Sequence, residues 1–198
     1  MKIIKTIFLV ILLSNKSYGF DKEFSNKFGQ SREQFCKVKN WEKGLNTKKE
    51  VGVKLFNKLR VATPIEGKFA IEKLKKENWI VIDARDKEAR RATGVVSGTI
   101  LLTSDYNKKS ENEFSRDLIL KVMSKRKNKK ILKNNKINEI NEISDLNNIK
   151  MILFCNGYKC HRSTWGACQL REYGVPFENI FIVLGGFSQL KDQGAKIK

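Results

Sequence analysis

The chain has 198 residues, with 40 Lys and Arg against 21 Asp and Glu, giving a formal net charge of +19. A hydrophobic content of 40% supports one globular core with appendages but hardly two full domains. The Lys excess comes with many Ile and Asn, a drift of overall composition, so charge alone does not argue for a nucleic-acid partner. A basic surface still draws in small anions.

Residues 1–19 read as a basic start (MKIIK), an apolar run (TIFLVILL) and a polar end with small Ser17 and Gly19. This is the pattern of a cleaved signal peptide. The run falls short of the roughly 20 apolar residues that span a bilayer. An uncleaved anchor is the alternative, and no cysteine stands near the cut to carry lipid. The expected location is outside the cytoplasm, in a bacterial periplasm.

Residues 20–62 are mixed and polar, and they predict an N-terminal extension of short helices and loops. Thr63-Pro64 then reads as a helix start, with Thr63 as cap, Pro64 in the first turn and Glu66 three residues on. Ile65, Phe69, Ile71 and Leu74 would line one side of a helix ending near Lys76. Trp79–Asp83, WIVID, is a strand apolar on both faces, as in a parallel sheet covered by helices on each side. DARDKEARRATG is polar and partly helical, and Gly98 breaks the chain before the β-like TILL.

Within a main domain at 63–198, residues from about 107 to 150 form a basic insertion. Phe114, Leu118, Val122 and Met123 have helical spacing, and Ile137, Ile140, Ile143 and Leu146 make one stripe of a further short helix. Lys121–Lys136 between them contains no acid. Such a run is ordinarily a solvated face. Its functional options are weak docking to an anionic membrane surface or steering of anions, with nucleic acid ranked last. After it come the buried strand MILF, a loop from Cys155 to Arg162, a helix over Ser163–Tyr173 ended by Gly174, and a last strand and turn, NIFIVLGG. Strand, helix and strand in that order imply a right-handed crossover, with ligands beyond the carboxyl ends of the strands.

The segment FCNGYKCHRSTWGAC holds three of the four cysteines and the only histidine. Cys155, Cys160 and Cys168 crowd together while Cys36 stands far off, a poor framework for stapling a fold even in an oxidising compartment. A functional thiol cluster is the better expectation. Cys155 ends a strand, the following helix points its positive end into the loop, and Lys159 and Arg162 add charge. Gly157 would let the backbone turn so that N–H groups converge on a sulfur anion or a small oxyanion. Zinc is not expected from Cys155, Cys160, His161 and Cys168, because the adjacent Cys160 and His161 would point apart.

Four ordered blocks, WIVIDAR, GTILL, LFCNGYKCHRSTWGACQLREYG and ENIFIVLGGF, resemble the rhodanese-like sulfurtransferases over about Ala62 to Gly186. CNGxxCxRS is similar to the longer-looped, single-domain, often exported branch. The resemblance implies an α/β fold: a five-stranded, mainly parallel sheet with helices on both faces. It also implies transfer of a sulfane sulfur from thiosulfate or a similar small anion to a thiol, protein or cyanide acceptor, through a persulfide on Cys155. Asn156, Gly157, Tyr158, Lys159, Cys160 and His161 match the loop whose amides bind the persulfide, and Arg162 the residue that closes it. Asp83 and Arg85 match the pair that braces the site, and Gly185 and Gly186 the turn after the last strand. No metal or organic cofactor is implied.

The family's His-Ile-Pro-Gly-Ala-like segment is replaced here by TGVVSGTI, and Leu190 stands where a tryptophan is common. Six residues separate Cys155 from Arg162, one more than in the related cell-cycle phosphatases. Cys160 can receive sulfur from Cys155, close a reversible disulfide with it, or be inert. That second option defines the alternative function, a non-enzymatic sulfur carrier or thiol switch. Cys168 falls inside a helix and suits the core, where Cys36 could reach it.

Overall fold

The protein is described by a computed structural model covering residues 36, 56, 58–105, 108–131, 149–158 and 160–198. Among the described residues five strands, β1 (Thr63–Ile65), β2 (Trp79–Asp83), β3 (Ile100–Leu101), β4 (Lys150–Phe154) and β5 (Ile180–Val183), form one sheet in the order β1-β5-β4-β2-β3. Every pairing is parallel. The two runs read as apolar on both faces, β2 and β4, lie next to each other, with Asp83 opposite Phe154. β4 is the central strand. Its carboxyl end is therefore flanked on both sides by neighbouring strand ends.

The side chains of these strands alternate between two cores, as the two-residue period of a strand requires. One face sends Ile80, Ile82, Met151, Leu153, Ile180 and Ile182 against α3 (Arg116–Ile131) and α4 (Arg162–Glu172). The other sends Trp79, Val81, Ile152, Phe154 and Val183 against α1 (Gly67–Lys73) and α5 (Gly186–Asp192). Helices on both faces explain the continuous apolar runs Trp79–Ile82 and Met151–Phe154. A further helix, α2 (Lys87–Thr93), follows β2 and is capped by Asp86, whose carboxylate accepts from the Ala89 N–H at 2.6 Å.

The predicted helix start at Thr63 is corrected. Thr63, Pro64 and Ile65 are an edge strand paired with Phe181, Ile182 and Val183. Pro64 fits there because an edge strand tolerates a missing N–H. The helix begins at Gly67, after an extended Glu66 that makes no side-chain cap. Pairing with β5 outweighs a local pattern that looks like a helix cap.

The helix expected near Phe114 is α3, although Phe114 itself precedes it. Phe114, Ile119 and Met123 are buried in the core, while Leu118 and Val122 lie at its margin. The stripe from Ile137 to Leu146, the tail of the basic run and the proposed signal peptide at 1–19 lie outside the described residues. Of the N-terminal extension, Cys36, Phe56 and Lys58 are described and helical. Phe56, Val61 and Ala62 are buried against the α3–α4 face. Among the described residues no helix is long and apolar enough to cross a membrane.

Candidate active site

Cys155 is the first residue beyond β4 and is 1% exposed. The loop after it turns tightly, with the Cys160 N–H donating to the Gly157 carbonyl at 3.0 Å. α4 then begins at Arg162 with no side-chain cap on its amino end. The partial positive charge of that end is thus available to the loop.

The loop is held from the other side by α5. The Phe187 N–H donates to the Cys155 carbonyl at 2.6 Å, and the Ser188 N–H to the Asn156 carbonyl at 3.4 Å. This approach depends on Gly186, which has φ +59°. A Cβ there would lie 2.6 Å from the Gly157 nitrogen and 2.7 Å from the Asn156 carbonyl carbon, and closer still to the Cys155 oxygen. The expectation that Gly157 lets the backbone turn where a Cβ would clash is therefore corrected. A Cβ on Gly157 would meet only the Gly185 oxygen, at 3.6 Å, an ordinary contact.

Both thiols of the loop are consumed in a Cys155–Cys160 disulfide, with Cα atoms 6.0 Å apart. The other two cysteines also pair: Cys36 and Cys168 are bonded, with Cα atoms 5.7 Å apart, inside the α3–α4 core. The reading of the cysteines as a poor stapling framework is overturned for this pair. Sequence spacing could not reveal that Cys36 reaches Cys168 on α4. Among the described residues no group of three or more His, Cys, Asp and Glu side chains is placed to hold a metal.

Arg162 reaches two carboxylates. Its Nη2 lies 2.8 Å from Asp86 Oδ2 and 2.9 Å from Asp105 Oδ2, and its Nε donates to the latter oxygen at 3.1 Å. His161 Nε2 lies 3.5 Å from Asp105 Oδ1. Asp86 and Asp105 follow β2 and β3, so three successive strand ends converge on the start of α4. Sequence reasoning missed both acids. Their signal was position alone, each lying just beyond the end of a strand.

Beneath the loop, Arg85 and Asp83 form a fully buried fork, Nε to Oδ1 at 2.9 Å and Nη2 to Oδ2 at 2.6 Å. Arg85 also donates to Thr93 Oγ1 at 2.7 Å and to the Gly94 carbonyl at 2.8 Å. Its guanidinium carbon lies 3.9 Å from the Phe187 ring centroid. A chain of contacts thus runs from Asp83 through Arg85 and Phe187 to the Cys155 backbone. The side chains of Asn156 and Tyr158 are exposed, and Lys159 lies outside the described residues.

The family model of the rhodanese-like domain matches residues 68–193. The chain belongs to the rhodanese-like domain family. This rhodanese-like chain is similar to two solved structures of low identity. One is the BH2092 protein from Bacillus halodurans, at 17% identity and a TM-score of 0.45, covering 75% of this chain and 84% of that one. The other is RPA3614 from Rhodopseudomonas palustris, described as a protein of unknown function and possible tyrosine phosphatase. It shows 17% identity and a TM-score of 0.44, covering 77% and 96% of the two chains. No curated protein matches. Within the rhodanese-like domain the loop residues, the Asp83–Arg85 brace and the paired glycines surround the end of β4.

Proposed function

We propose that the protein is a sulfurtransferase that carries a sulfane sulfur on Cys155, from thiosulfate or a similar anionic donor to a thiol or cyanide acceptor. The observation that carries this reading is the place of Cys155, immediately beyond the central strand β4 and ahead of the uncapped amino end of α4. Family membership supports it. With the disulfide reduced, the Cys155 thiolate attacks the outer sulfur of thiosulfate. The S–S bond of the donor breaks, sulfite leaves with the electron pair, and Cys155 holds a persulfide. An acceptor then attacks the outer sulfur and restores the thiolate.

Arg162 is shared by two carboxylates, so holding the donor's sulfonate falls mainly to the loop backbone and the α4 amino end. Two disulfides also suit an oxidising compartment, which supports export to a bacterial periplasm.

The test is thiosulfate with cyanide after mild reduction. Sulfite and thiocyanate are expected, and both should be lost in Cys155→Ser. A second reading is favoured by the Cys155–Cys160 disulfide itself, a redox switch without turnover. That reading takes over if the reduced protein cycles between dithiol and disulfide but releases no sulfite.

A further inference from the structure

Cys155 is 1% exposed while bonded to Cys160, so even after reduction only a small donor, and not a bulky acceptor, reaches the sulfur on its side chain. Once a persulfide forms, the outer sulfur extends beyond that buried atom while the inner one stays shielded. The group that reaches the inner sulfur is on the chain itself. Cys160 is bonded to it across a sequence separation of 5. It is half-buried, and its N–H is fixed on the Gly157 carbonyl at 3.0 Å. The remaining cysteines, Cys36 and Cys168, are tied to each other in the core and cannot compete.

We propose that Cys160 is a second catalytic residue, which resolves the Cys155 persulfide and releases its sulfur as hydrosulfide, making a dithiol the terminal reductant. This rests on the persulfide reading above. The Cys160 thiolate attacks the inner sulfur. A bond forms between the two cysteine sulfurs, and the bond from Cys155 to the outer sulfur breaks. The electron pair goes to the outer sulfur, which takes up the proton given up by Cys160 and departs as hydrosulfide. The sulfane sulfur gains two electrons and the cysteine pair loses two. An external dithiol then reduces the Cys155–Cys160 disulfide by exchange, attacking Cys160, the more accessible of the two. The net reaction takes thiosulfate and a dithiol to sulfite, hydrosulfide and the oxidised dithiol.

Attack at the inner or outer sulfur gives different products. An external thiol meeting the outer sulfur leaves as a persulfide, whereas Cys160 meeting the inner sulfur liberates hydrosulfide. The held geometry gives the internal thiol a large effective concentration, so hydrosulfide release should outrun transfer to dilute monothiols.

The full chain is reduced under anaerobic conditions with an immobilised dithiol, which is removed before equimolar thiosulfate is added. Wild type is expected to release about one equivalent each of sulfite and hydrosulfide and to end with Cys155 linked to Cys160 in the peptide map. Cys160→Ser should still release sulfite, at whatever rate, but no hydrosulfide, and should keep the additional sulfur on Cys155. Cys160→Ala serves as a second variant, and sulfite release reports that its site is intact. The inference is overturned if wild type keeps the additional sulfur and yields no more hydrosulfide than Cys160→Ser. It is also overturned if both variants lose sulfite release while wild type keeps it, because Cys160 would then act in the first step. Loss of sulfite in all three proteins instead removes the persulfide reading, and this inference with it.

Discussion

Gly186 lies against the backbone of Cys155, and the next residue's N–H donates to the Cys155 carbonyl at 2.6 Å. Substituting Gly186→Ala forces a left-handed residue with a Cβ, which costs about 1–2 kcal/mol by itself. The Cβ also overlaps three backbone atoms that have no side-chain freedom to yield. The expected total is about 3 kcal/mol or more in urea unfolding, with sulfite release lost even where the fold survives. Gly157→Ala should change neither by a measurable amount. A silent Gly186→Ala would show that α5 does not hold the loop.

These two glycines also mark where the sequence can be read and where it cannot. β2 and β4 were legible because WIVI and MILF are continuous apolar runs, as strands of a sheet covered on both faces are. The fold class and the place of Cys155 follow from those runs. Gly157 and Gly186 look alike in sequence, because the demand for a missing Cβ arises where α5 meets the loop and not within either segment. The same limit explains Thr63-Pro64-Ile65, whose pairing partner lies more than a hundred residues away. Asp86 and Asp105 belong here too, since each acquires its role from an arginine on another element.

The Cys36–Cys168 bond closes a sequence separation of 132, and its Cys168 half is fully buried. Cys36→Ala with Cys168→Ala should lower unfolding stability by about 2–5 kcal/mol. Sulfite release should persist well below the new midpoint, because both residues lie in the α3–α4 core. Native-state reduction followed by alkylation should label Cys160 before Cys168, since Cys160 is half-buried and Cys168 is enclosed. Labelling in the reverse order would remove the division into a structural and an active disulfide.

Tyr173, at the end of α4, donates its hydroxyl to the Phe114 carbonyl at 3.0 Å. Burial pushes its pKa above the ordinary value of 10.0, and the Glu172 charge adds to this against the opposing Gln169 hydrogen bond. The folded chain therefore holds this proton when the unfolded chain has already lost it. Stability tied to Tyr173 is complete below pH 10.0 and falls as pH rises through the higher folded pKa. Tyr173→Phe should lose about 1 kcal/mol at neutral pH through the missing hydrogen bond. It should also show a shallower decline than wild type in unfolding free energy above pH 10.0. Parallel declines would mean that lysine titration alone governs the alkaline limb.

Arg162 offers the last prediction, because its charge is opposed by both Asp86 and Asp105. Asp86→Asn removes one of those charges and keeps a good helix cap, since Asn serves at that position as well as Asp. α2 should be retained, and the far-ultraviolet spectrum should be unchanged. The guanidinium then presents more positive charge to an anionic donor. A gain of about 1 kcal/mol in donor binding corresponds to a roughly fivefold lower KM for thiosulfate at low ionic strength, with kcat little altered. High salt should erase the difference as it screens the exposed part of the field. An unchanged KM at low salt would instead assign Arg162 to fastening the start of α4 onto the ends of β2 and β3, with no part in meeting the donor.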